Sequence, residues 1–188
     1  MLTIRQSNAT ETDNSRRAFV LLIGAVLIIL WVISLNAYDS LPSRIPVHFN
    51  WDGTANRWSD KTPMHFFMLP ATATLLSILL IFLSRFPGLY NFPQKEEVKN
   101  WPAEKRQPVY NLLNRLIYLI ALLISGIFLL IQIEIIRAAK LQKTTPAEMW
   151  PLWILVALII IMPIYYMIRI NRLVRELRKT INKPISGS

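Results

Sequence analysis

The chain has 188 residues, 53% hydrophobic and 17% charged, with mean hydropathy +0.37 and formal net charge +10. A water-soluble domain of this length carries more charge and shorter apolar runs, so these values place the chain in a membrane. Cysteine is absent, which excludes disulfides, thiolate metal sites and cysteine nucleophiles. The basic residues gather beside apolar segments, where they meet anionic headgroups, and this distribution argues against nucleic acid as a partner.

In chain order, residues 1–16 are polar without apolar periodicity and predict a mobile cytoplasmic tail. Ser15-Arg16-Arg17-Ala18-Phe19 is similar to a twin-arginine export signal, but the apolar run behind it is long and Leu35-Asn36-Ala37 is a poor cleavage site. It reads as a pair of positive anchors before an uncleaved first helix. Apolar runs predict spans over Arg17–Tyr38, Met64–Phe86, Asn111–Ile136 and Met149–Ile170, each near the roughly 20 residues that cross a bilayer core. Continuous apolar runs, not strict alternation, select helices over a barrel. The fold expected is therefore all-α, a polytopic membrane protein with four transmembrane helices. Residues 17–86 form the first membrane unit, with a loop at 39–63. Residues 87–110 form a connection holding Pro87, Pro93 and Pro102, with a short surface helix and with Tyr90 and Trp101 at headgroup level. Residues 111–170 form a second helix pair, kinked at Pro163. Residues 171–188 form a basic tail that begins helical, with Arg172, Arg175 and Arg178 at helical spacing.

Fifteen Lys and Arg lie in the N-terminal, second-connection and C-terminal segments, against six (Arg44, Arg57, Lys61, Arg137, Lys140 and Lys143) in the first and third connections. The positive-inside bias puts both termini in the cytoplasm and the 39–63 loop outside, as in a multi-pass inner-membrane protein.

That loop is unlike the rest of the chain. Leu41-Pro42 and Ile45-Pro46 force extended backbone, Val47-His48-Phe49 alternates, and Asn50-Trp51-Asp52-Gly53 reads as a turn with positive φ at Gly53. Thr62-Pro63 predicts the start of the second span, Thr62 as cap and Pro63 in the first turn. His48, Asp52 and His65 are ligand types, but their spacing matches no recognised metal site, and no metal or other cofactor is expected. Ser40, Ser43 and Ser59 lack a nucleophile-elbow context, so no catalytic residue is expected either. What remains is a proline-braced cap, with Phe49, Trp51 and Trp58 against the membrane surface. His48, Asn50, Trp51, Asp52, Gly53 and Trp58 are the candidate contacts for a ligand or partner. Inside the third span, Gln132, Glu134 and Arg137 are the intramembrane polar candidates; ionisable groups at depth point to function, while Arg137 at i+3 from Glu134 also suits a structural pair.

The pattern Leu-Pro-x-x-Ile-Pro-x-His-Phe-Asn-x-x-Gly, from Leu41 through Gly53 and followed by Trp58 and Lys61, resembles a bacterial membrane domain family of unknown function. The same domain forms the N-terminal part of SdpI-type immunity proteins. The resemblance covers roughly residues 18–84. The longer C-terminal membrane domain of those proteins, with its own polar signature, is not evident after Asn111. The resemblance implies an immunity-like or sensory protein, non-enzymatic, recognising a secreted extracytoplasmic peptide or another membrane protein. Membrane lipids are the expected surroundings, and self-association into an oligomer fits this reading. The alternative is a subunit of a transporter or ion-conducting assembly, resting on Gln132, Glu134, Pro163 and Arg85 near span ends.

Overall fold

A computed structural model describes residues 2–141 and 149–181, with side chains from Asn14 onward. Five helices and one hairpin follow in the order α1 (Leu2–Tyr38), β1 (Arg44–Phe49), β2 (Ala55–Asp60), α2 (Pro63–Leu83), α3 (Lys95–Lys99), α4 (Ala103–Leu141) and α5 (Trp150–Ile181). Four of the helices, α1, α2, α4 and α5, are long and apolar enough to cross a membrane. The protein is an all-α membrane protein with one small two-stranded sheet. The helices overrun the predicted spans in places. The backbone is helical from Leu2, through the segment expected as a polar tail, and no Gly or Pro between Leu2 and Arg17 interrupts it. The helix α4 starts at Ala103, inside the expected connection, while α5 runs unbroken through Pro163 into the basic segment as far as Ile181. Residues 182–188 of the expected tail, and Lys143 in the third connection, lie outside the described residues.

The helix α4 packs against α1, α2 and α5, and α1 also packs against α2. In lipid the hydrophobic effect gives little drive for helix association, so close packing and interhelical hydrogen bonds carry it. The buried stripes meet that need. Phe66, Pro70, Ala73 and Ser77 of α2 recur every three to four residues, as do Ala121 and Ser125 of α4. Small side chains bring the backbones together, and Ser77 shares a 2.9 Å hydrogen bond with Ser125. Trp31 of α1 donates to Thr74 of α2 at 3.0 Å, and the Ser84 and Tyr118 hydroxyls meet at 2.6 Å.

Pro70 sets the most informative of these contacts. It has no N–H, so the Phe66 carbonyl one turn earlier loses its helical donor. The side chain of Gln132, fully buried in α4, donates to that carbonyl at 3.4 Å. An orphan carbonyl at this depth would lack water to satisfy it.

At the end away from the hairpin, Phe92, Val98, Trp101, Val109, Leu113, Ile170 and Val174 form a compact core. The expected surface helix is present as α3, and Trp101 follows it. The Pro102 turn folds it inward onto α4 and α5, where it is buried. Tyr90 is half-buried as well. Its hydroxyl donates to Asn114 Oδ1 at 2.8 Å and lies 3.2 Å from Leu83 O, and burial pushes the phenol up to about 12. Arg178 grips both carboxylate oxygens of Glu97, tying the end of α5 to α3.

Replacing Gln132 with Leu should destabilise the bundle by roughly 1 kcal/mol, the usual scale for an interhelical hydrogen bond in lipid. The loss should shrink in a Pro70→Ala background, where the backbone N–H restored at that position can reach Phe66 O. Denaturant titration of the four variants in detergent micelles measures this coupling, and equal losses in both backgrounds would refute the pairing.

Candidate functional site

The 39–63 loop is a folded hairpin. Strand β1 follows from the proline-extended run, but β2 (Ala-Asn-Arg-Trp-Ser-Asp) lacks apolar alternation and is not evident from the sequence. It pairs antiparallel with β1, placing Ile45 opposite Ser59, Pro46 opposite Trp58 and Phe49 opposite Ala55, with irregular steps on either side of His48. Lys61 N–H donates to Ser43 O at 2.8 Å, making that a hydrogen-bonded pair. Alternation then turns the backbone groups of Trp58 and Asp60 to the outer edge of β2. Both carbonyls there are engaged by side chains: Arg44 donates to Trp58 O at 3.3 Å, and His65 Nδ1 lies 3.1 Å from Asp60 O. The edge is thereby blunted against adding another strand.

The hairpin is fastened to the bundle at its base. Ile45 is 1% exposed and packs with Ala37, Leu41, Phe66, Ile135 and Ala139, joining β1 to α1, α2 and α4. Lys61 Nζ donates to Tyr38 O at 3.0 Å and Leu41 O at 2.8 Å, placing a cation at the carbonyl end of α1. Thr62 caps α2 by accepting from His65 N–H at 3.1 Å, with Pro63 in the first turn, as the sequence predicts.

At the tip, three of the candidate residues, His48, Asn50 and Asp52, join in one directional relay. His48 Nδ1 donates to Asn56 Oδ1 at 2.6 Å, and Asn56 Nδ2 donates to Asn50 Oδ1. Asn50 Nδ2 donates to Thr54 Oγ1 at 3.1 Å, and Thr54 O–H ends the chain on Asp52 Oδ1 at 2.7 Å. The same Asp52 oxygen accepts Thr54 N–H at 3.0 Å. The Thr54 hydroxyl and then its N–H hold the Asp52 carboxyl below its ordinary value of 3.8. Sequence reasoning misses Asn56 and Thr54, the two intermediate members, because their roles depend on pairing across the turn.

Trp51 is 85% exposed, yet one face of its ring stacks on Trp153 of α5, with centroids 5.5 Å apart and planes 7° apart. Gly53 takes φ +81°, and a Cβ there would collide with Met149. The tip therefore leans on the start of α5. Trp58 is half-buried opposite Pro46 and does not join the relay. Within α4 the polar candidates separate. Gln132 turns to α2, whereas Glu134 is half-buried and feels the charge of Arg137. Among the described residues, no three His, Cys, Asp or Glu side chains gather as a metal site.

Gly53→Ala should destabilise the hairpin by about 1–2 kcal/mol from positive φ alone. Thermal unfolding should show partial recovery with Met149→Ala, which relieves the collision but not the φ strain; no loss in Gly53→Ala would contradict the geometry. Asp52 has a depressed folded pKa, so its contribution is complete above 3.8 and is lost as pH falls through the lower folded value. Acid titration of the Thr54 amide resonance should follow that loss, and Asp52→Asn should abolish the step.

Residues 25–74 match the model of a family described as a domain of unknown function (DUF1648). The matched segment holds α1 from residue 25 to its end, the whole hairpin and the α2 turns through Thr74, while α4 and α5 lie outside it. No curated protein and no solved structure matches the chain.

Proposed function

We propose that this is a non-enzymatic protein of the bacterial inner membrane, with both termini cytoplasmic. Its hairpin recognises an extracytoplasmic peptide or a membrane partner, in an immunity-like or sensory role. One observation carries the reading: a largely exposed Trp51 stands on a hairpin fixed to the helix bundle, beside an exposed relay of polar side chains. Exposed aromatic anchors within a polar surround are what recognition surfaces use. A rigid mount also limits the entropy lost on binding. Because the β2 carbonyls at the outer edge are engaged, recognition goes through side chains and not through strand addition. The excess of Lys and Arg in the connection and segments away from the hairpin supports an outward-facing hairpin. Transport has less support, since Gln132 turns to Phe66 O of α2 while Glu134 lies beside Arg137.

The absence of cysteine makes topology directly measurable. A single cysteine from Asn56→Cys should react with an impermeant maleimide in intact cells, whereas one from Lys95→Cys should react only after permeabilisation. The opposite pattern would invert the orientation. A photo-crosslinker at position 51 should capture a discrete peptide or protein from native membranes, and this capture should fall at least tenfold with His48→Ala. Capture of lipid alone at position 51 would remove the recognition reading.

A further inference from the structure

Beside the hairpin base, the end of α1, the start of β1 and the last turn of α4 enclose an open crevice of about 480 Å³, lined by residues 40–44 together with Ala139 and Lys140. We propose that this crevice binds the phosphate of a membrane lipid headgroup. Among the described residues its two ionisable lining groups, Arg44 and Lys140, are both cations, and no lining residue among them brings a carboxylate. Arg44 uses one N–H on Trp58 O and has further donors in its guanidinium fork. Ser43 adds a hydroxyl, while the Ser40 hydroxyl is turned to Ala37 O at 2.8 Å.

The carbonyl end of a helix ordinarily repels an anion. At the end of α1 that field is opposed by Lys61, whose ammonium occupies Tyr38 O and Leu41 O. The apolar wall is fixed, because Leu41 and Ala139 are buried in the cluster that also holds Ile45 and Phe66. The setting of the crevice points to a lipid as the source of the anion. The crevice opens beside the ends of α1 and α4, two helices long and apolar enough to cross a membrane, and lipid headgroups are the phosphates such helices meet. It stands apart from Trp51 and does not rest on recognition at the hairpin tip.

The full chain in neutral detergent should be titrated with short-chain phosphatidylglycerol, the matching diacylglycerol and inorganic phosphate, reading the unfolding midpoint. Phosphatidylglycerol should raise the midpoint saturably, and diacylglycerol should not. Arg44→Gln and Lys140→Gln should each raise the half-saturating concentration about tenfold, as expected for losing one charged hydrogen bond. Lys140→Arg should retain binding, and Trp51→Ala should leave it unchanged. An equal response to diacylglycerol, or unchanged half-saturation in the Arg44→Gln/Lys140→Gln double variant, would overturn the site. Saturation by inorganic phosphate at the same concentration would overturn the lipid as its source.

Discussion

Every backbone carbonyl in a lipid-buried helix needs a donor, and Pro70 takes one away from Phe66. Gln132 supplies the replacement from α4, so a break in the α2 ladder becomes a link between helices. Phe66 is also where the two halves of the molecule meet. Its carbonyl belongs to the α2–α4 seam, while its ring packs with Ala37, Leu41, Ile45 and Ile135 under the hairpin. The position of the hairpin thus depends on how α2 sits against α4. The small residues Ala73, Ser77, Ala121 and Ser125 allow that approach, and their hydroxyls find partners inside the seam.

The helix α5 has a different kind of attachment. Its apolar stretch is little buried within the chain, and its helix–helix packing is with α4. Its two ends are engaged separately, by Trp51 stacking on Trp153 at one end and by Arg178 on Glu97 at the other. The second of these is exposed, so its bidentate geometry contributes more to position than to stability. Together they couple the hairpin tip and the α3 surface to one continuous helix. A partner at Trp51 would therefore compete with, or extend, an existing aromatic contact.

Much of this is legible in the sequence for simple reasons. Apolar length gives the four membrane-crossing helices, Thr62-Pro63 gives the start of α2, and Gly53 gives the positive-φ turn. Local chemistry alone determines those features. The strand β2 is not legible because Ala55–Asp60 is mostly polar and is held by pairing with β1, not by an apolar face. Gln132 stands out as polar, but its task depends on Pro70, 62 positions earlier in the chain. The burial of Trp101 is not legible because core-packed and lipid-facing tryptophans share the same local composition, and only the packing of α3, α4 and α5 buries it. Within the candidate site, the sequence marks His48, Asn50 and Asp52 as neighbours of the turn, but the relay joining them needs Asn56 and Thr54 from its far side.

The central claim is that the hairpin is a rigid surface mounted on the α1–α2–α4 bundle. Hydrogen exchange of the full chain in lipid nanodiscs tests it most directly, because amides exchange at rates set by local opening. The ladder amides of Ile45, Ser59 and Lys61 should exchange slowly, and they should accelerate together when Lys61→Met removes the tie to Tyr38 O and Leu41 O. Exchange of these amides in the unaltered chain at the rate of an unstructured peptide would contradict the account.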